Sequence, residues 1–149
     1  MAMVTAVTDD TLAVANRLRP LLLHLNRHLR REARAQGITP GKVSLLSAIE
    51  DHAGIGVGDL AAREGMSSPS ISVQIDQLAA AGYVRRVRDA AGDRRRVGLE
   101  VTSAGSKLLR TVRSRRTAWL ARRLRDLSPE QRGEIAGALD ALAALVGHR

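Results

Sequence analysis

Residues Gly58 to Gly105 read GDLAAREGMSSPSISVQIDQLAAAGYVRRVRDAAGDRRRVGLEVTSAG. Each transition in this stretch carries a turn or cap signal. Gly58 to Glu64 is a short helix with Leu60 and Ala61 facing inward. Gly65 supplies a permissive backbone for the turn that follows. Ser67 is a good N-cap, and Pro69 is tolerated in the opening turn because its missing N–H is not required there. The second helix stops at Gly82. Tyr83 to Arg88 reads as a strand with Val84 inward, and Asp89 to Asp93 makes a turn. Arg95 to Val101 returns with Val97, Leu99 and Val101 alternating inward, and Thr102 opens a further helix.

At about 100° per residue the second helix divides into two stripes. Ile71, Ile75 and Leu78 form the core side. Ser70, Val73, Gln74 and Gln77 form another, offset by roughly 120°. Hydroxyls and amides can exchange hydrogen bonds with base edges, and a valine can pack on a thymine methyl. Taken alone, this stripe also fits the weakly polar surface of any bundle helix.

The hairpin adds weight to the first reading. Between Arg85 and Arg96 there are six arginines against two aspartates. So much like charge is self-repelling unless it faces an anion. A long arginine at a hairpin tip can also enter a narrow minor groove, where the potential is strongly negative.

The whole chain has 149 residues, enough for one domain, with 44% hydrophobic residues and a formal net charge of +9. That surplus favours polyanionic partners. Aromatics are Tyr83 and Trp119 alone, so aliphatic side chains must fill the core and a base-stacking module is disfavoured. With no cysteine, disulfides and thiol redox sensing are excluded, which is consistent with a reducing cytoplasm. No basic leader with a long apolar core and no run of about 18 apolar residues is found, so a cytoplasmic chain without a membrane partner is expected.

The flanks read as helices. From Thr8 to Gln36, Ala15, Leu18, Leu22, Leu25 and Leu29 form a narrow apolar seam suited to a partner helix, with Pro20 expected to kink or split the helix. His24 and His28 lie four apart, a spacing that can place two imidazoles on one metal. No adjacent Cys or H-E-x-x-H glutamate completes a ligand set, so surface or interface histidines are expected and no metal site is assigned. Thr39-Pro40 opens a helix to about His52, with Val43, Leu46 and Ile49 buried. Ile55 to Val57 is too short for more than an isolated β-bridge. The helix from Thr102 to about Leu127 takes its apolar side from Leu108, Val112, Trp119, Leu120 and Leu124. Ser128-Pro129-Glu130-Gln131 is a capping box, opening a last helix with Ile135, Leu139, Leu142 and Val146 on one stripe.

Leu60 to Ser67, the helix from Pro69 to Leu78, Gly82-Tyr83-Val84, Asp93-Arg94-Arg95 and Leu99-x-Val101-Thr102-x-x-Gly105 together resemble the MarR family of bacterial transcription regulators. The resemblance covers nearly the whole chain. It implies a mainly α fold with a small β-hairpin wing, a single domain over residues 1–149. Residues 39–101 would be a winged helix-turn-helix DNA-binding lobe, and 8–36 and 102–147 would be dimerisation helices. It also implies a homodimer on a pseudo-palindromic operator in double-stranded DNA, with recognition helices about 34 Å apart. The recognition helix would be Ser67 to Ala81, contacting DNA through Ser67, Ser68, Ser70, Val73, Gln74 and Gln77. The wing would act through Arg86, Arg88, Asp93, Arg94, Arg95 and Arg96, with Asp93 orienting Arg95. Val73 stands where family members often carry a basic residue.

The expected function is therefore a sequence-specific transcriptional regulator, a repressor more than an activator. The resemblance implies a small aromatic or phenolic effector, for which no short motif marks a pocket. No catalytic set and no cofactor are expected. The rival readings are an architectural DNA-binding protein of low specificity, driven by phosphate neutralisation, and a protein-binding scaffold with solvated arginines.

Overall fold

The computed structural model describes residues 9–88 and 97–147. Its elements are α1 (Asp9–Arg34), α2 (Pro40–Asp51), α3 (Val57–Glu64), α4 (Ser68–Ala80), β1 (Val84–Arg88), β2 (Val97–Val101), α5 (Ser103–Arg125) and α6 (Pro129–Leu145). The chain divides into two units within α5, Met1–Val112 and Arg113–Arg149.

In the first unit α1 runs unbroken through Pro20, so the expected split does not occur. Proline removes one ladder hydrogen bond. Asn16, whose carbonyl loses that donor, is exposed, so water can replace it. In the apolar seam of α1, Ala15, Leu22 and Leu25 are exposed and Leu18 and Leu29 half-buried, and Leu21 and Leu23 beside it are exposed as well. Only the C-terminal end of α1 joins the core, through Ala33.

The caps follow the sequence. Thr39 Oγ1 accepts from the N–H of Lys42 at 3.3 Å. Gly65 closes α3 in the left-handed region, and the Met66 N–H returns to the Ala61 carbonyl at 3.0 Å, a Schellman-type closure. Ser67 Oγ accepts from the N–H of Ser70 at 3.4 Å to start α4. The core gathers Val43, Leu45, Leu46 and Ile49 of α2, Leu60 and Ala61 of α3, and Ile71, Ile75 and Leu78 of α4. Val84, Leu99, Leu109 and Val112 complete it.

β1 and β2 pair antiparallel, with Val84 opposite Val101 and Arg86 opposite Leu99. Ile55 makes the isolated bridge to Leu99, held by Leu99 N–H to the Ile55 carbonyl at 2.9 Å and Gly54 N–H to the Leu99 carbonyl at 2.8 Å. This third strand-like segment covers β2 at Leu99 and Gly98. Gly98 is buried, and a Cβ there would lie 2.5 Å from the Gly54 carbonyl oxygen. Val97, expected inside, is instead exposed, because its register position sits at the open end of the ladder opposite Arg88.

The start of α5 is pinned to the end of α4. Thr102 Oγ1 donates to the Gly82 carbonyl at 2.6 Å and accepts from the Gly105 N–H at 3.1 Å. The Thr102 N–H donates to the Tyr83 carbonyl at 3.0 Å. A Cβ on Gly105 would run into that same Tyr83 carbonyl oxygen. The Thr102-x-x-Gly105 spacing therefore records a close backbone crossing. The buried stripe of α5 is Gly105, Leu109 and Val112; Leu108, expected inside, is half-buried beside it.

In the second unit, Ser128 and Gln131 form the reciprocal capping box, at 3.2 Å and 3.1 Å. Arg132 folds back onto the Leu127 carbonyl at 2.7 Å, satisfying a group that the end of α5 leaves open. Trp119 is half-buried, with the Arg123 guanidinium 5.6 Å from its ring centroid. Ile135, Leu139, Leu145 and Val146 are exposed within the chain. Among the described residues no helix is long and apolar enough to cross a membrane.

Candidate nucleic-acid interface

The outward side of α4 follows from its buried side. Ile71, Ile75 and Leu78 are fully covered, which turns Ser70, Val73 and Gln77 to solvent; Val73 is 57% exposed. Ser70 is held by its neighbour, since Ser67 Oγ donates to Ser70 Oγ at 3.0 Å. Gln74 is half-buried and leans on the turn, its Nε2 4.0 Å from Met66 Sδ. Ser68 lies exposed in the first turn. Ser70, Val73, Gln74 and Gln77 thus share one side of α4, with Gln74 the least available, while Ser67 and Ser68 mark its N-terminal start.

Basic residues are absent from α4, whose sequence SPSISVQIDQLAA contains one ionisable group, Asp76. That carboxylate accepts a hydrogen bond from the Arg86 guanidinium at 2.7 Å. Arg86 thus joins β1 to α4 instead of standing free beside it. Arg85 is paired as well, with Nε and Nη2 at 3.0 Å and 2.6 Å from Glu100 Oε2 across the hairpin. Arg88 is exposed and has no ion-pair partner among the described residues. Asp93, Arg94, Arg95 and Arg96 lie outside the described residues.

Sequence reasoning did not single out Asp76 and Glu100. The Arg85–Glu100 pair carried a signal, since the two residues are direct cross-strand neighbours once the hairpin register is drawn. Asp76 and Arg86 belong to different elements, and no local spacing announces that pair. His24 and His28 stack edge to face on α1, with ring centroids 5.1 Å apart. Among the described residues no group of three or more His, Cys, Asp or Glu is placed to hold a metal.

The arrangement is that of a helix-turn-helix with a following hairpin, and the comparisons agree. Over 138 residues the chain is 30% identical to the HTH-type transcriptional regulator MT0903.1 of Mycobacterium tuberculosis, covering 93% of this chain and 96% of that protein. The family model described as MarR family matches residues 36–96. The chain belongs to the MarR family. Among solved structures, this MarR-family chain superposes on a Pseudomonas aeruginosa PA01 protein with a TM-score of 0.81 at 29% identity, covering 93% and 97% of the two chains. A MarR family protein from Bacillus stearothermophilus shares the fold, with a TM-score of 0.78 at 22% identity over 95% and 99% of the chains. As a member of the MarR family the protein is a DNA-binding transcriptional regulator and not an enzyme.

Proposed function

We propose that this MarR-family regulator is a homodimeric repressor that binds a pseudo-palindromic operator in double-stranded DNA and is released by a small aromatic or phenolic effector. The observation that carries the DNA reading is the pairing of an uncharged hydrogen-bonding face on α4 with an adjacent arginine-bearing hairpin. The second helix of such a motif lies in the major groove. Ser67, Ser68, Ser70, Val73, Gln74 and Gln77 would face bases and nearby phosphates there. Arg88 and the arginines of 94–96 would supply the phosphate and minor-groove contacts, with Asp93 orienting Arg95.

Dimerisation is supported by the uncovered leucines of α1 and the uncovered apolar residues of α6. In this reading residues 39–101 are the DNA-binding lobe, and 8–36 and 102–147 carry the dimer. Release by an effector rests on membership of the family alone. The site of action is the cytoplasm.

Binding to selected and to scrambled DNA, each at two salt concentrations, tests the regulator reading. A specificity ratio of about a thousandfold or more is expected. A ratio near unity would replace it with an architectural role driven by phosphate neutralisation.

A further inference from the structure

The major groove can be read through several chemistries, and α4 lacks most of them. Guanine is most often read by a bidentate arginine or lysine on O6 and N7, and cytosine by a carboxylate accepting from N4. Between Ser68 and Ala80 there is no arginine or lysine. The one carboxylate, Asp76, is already engaged by Arg86 at 2.7 Å. Arg85 and Arg86, the basic residues nearest α4 in β1, are both committed to ion pairs on the protein.

What remains outward is Ser70, Val73 and Gln77, with Gln74 leaning on Met66. A glutamine amide matches adenine N6 and N7, and an apolar side chain matches the thymine methyl. Val73 and Gln77 are four residues apart and therefore neighbours on one face. A serine hydroxyl serves any base and adds no preference.

We infer that α4 reads A·T pairs, with Val73 against a thymine C5-methyl and Gln77 on adenine, and that the Asp76–Arg86 pair keeps the helix from reading cytosine or guanine. This rests on the regulator reading above and narrows it to a class of operator. Sequence preference is then carried by uncharged groups on α4, while charge on the hairpin supplies affinity.

The experiment selects duplexes from a random pool with the full-length protein, then measures binding to a selected duplex in which single thymines are replaced by uracil and single adenines by 7-deazaadenine. We expect A·T pairs at the enriched half-site positions. Uracil at one thymine should weaken binding about fourfold, the value of one buried methyl. Deazaadenine at a neighbouring pair should weaken it about tenfold. The uracil penalty should vanish in Val73→Ala and the deazaadenine penalty in Gln77→Ala. Both side chains are exposed, so these variants should keep their fold. Specific binding with no uracil penalty, or with guanine enriched at every contacted position, overturns the A·T assignment and leaves the regulator reading standing. A pool with no enrichment over scrambled DNA overturns the regulator reading and the assignment with it.

Discussion

The guanidinium of Arg86 and the carboxylate of Asp76 meet at 2.7 Å, tying the first strand of the hairpin to the helix beside it. The side chains are 42% and 68% exposed, so the pair adds little to folding, about 0–1 kcal/mol. Its effect should appear in binding. Asp76→Asn removes a negative charge from a face that meets phosphates and releases Arg86 toward them. The salt dependence of DNA binding should steepen by about one unit of log–log slope, measured by fluorescence anisotropy across a salt series. An unchanged slope would mean that Arg86 stays folded onto α4 without its partner.

The arginines of the hairpin should not be equivalent. Arg88→Ala removes a cation with no ion-pair partner among the described residues and should flatten the salt slope by about 0.9. Arg85→Ala removes a cation already paired with Glu100 and should flatten it less. Arg95→Ala should weaken operator binding far more than Arg123→Ala, whose guanidinium rests on Trp119. Equal losses in that last comparison would remove Arg95 from the DNA contact set.

Two glycines should resist substitution and a third should welcome it. A Cβ at Gly98 meets the Gly54 backbone, and one at Gly105 meets the Tyr83 carbonyl. Backbone cannot swing aside as a flexible side chain can, so Gly98→Ala and Gly105→Ala should each cost about 1–3 kcal/mol. Gly58 lies inside α3, and a Cβ there has nothing within 4 Å. Gly58→Ala should stabilise by about 0.5–1 kcal/mol. Urea titration of the three variants at constant protein concentration checks the ranking.

Charging the uncovered apolar residues should break the assembly without unfolding the lobe. Leu21 is 61% exposed and Leu139 57% exposed, so neither substitution disturbs the core of a single chain. Leu21→Asp combined with Leu139→Asp should give a monomer by light scattering at micromolar concentration. Operator affinity should fall because one recognition helix then binds alone. A wild-type protein that is already monomeric under those conditions would remove the dimer reading.

The start of α6 should respond to acid. The carboxyl of Glu130 is held below the usual carboxylate range by its own backbone N–H and then by the Ser128 hydroxyl. A carboxyl with a depressed pKa in the folded state contributes stability above its unfolded pKa and loses it as pH falls through the folded value. The contribution is therefore complete at neutral pH and fades once pH drops below the ordinary glutamate value of about 4.3. Glu130→Gln should shrink the stability difference between pH 7 and pH 3, read by thermal unfolding at both. An identical pH dependence in the variant would show that Glu130 is not coupled to folding.

What was legible in the sequence was local or periodic. Ile71, Ile75 and Leu78 repeat at helical spacing and all reach the core. Ser67 and Ser128 act on backbone three residues ahead of them, and such contacts follow from the order of residues. Less legible were contacts between distant elements. Val97 fits the alternation of β2 as well as Leu99 does, but only Leu99 is covered by the bridge from Ile55, which lies over forty residues away, while Val97 sits at the open end of the ladder. Leu109 and Leu108 are adjacent candidates for the inner face of α5, and the crossing at Gly105 selects Leu109. Pro20 was read as a kink or a split, and the split does not occur, because a long exposed helix tolerates one missing donor. In the candidate site, the exposed stripe of α4 was visible from its periodicity. The neutralisation of Asp76 was not, because ion pairs between elements leave no spacing in the chain.

The contact between Gly98 and Gly54 also acts as a key for the hairpin. Backbone meets backbone at that point, and only a residue without a side chain can occupy it. Sliding β2 by one position would bring Val97 or Leu99 there, and both collide. A one-residue slip would also exchange the two faces of the strand, turning the charged side inward and the buried Leu99 outward. A single pair of small residues thus fixes the register of β2, although neither glycine carries any charge.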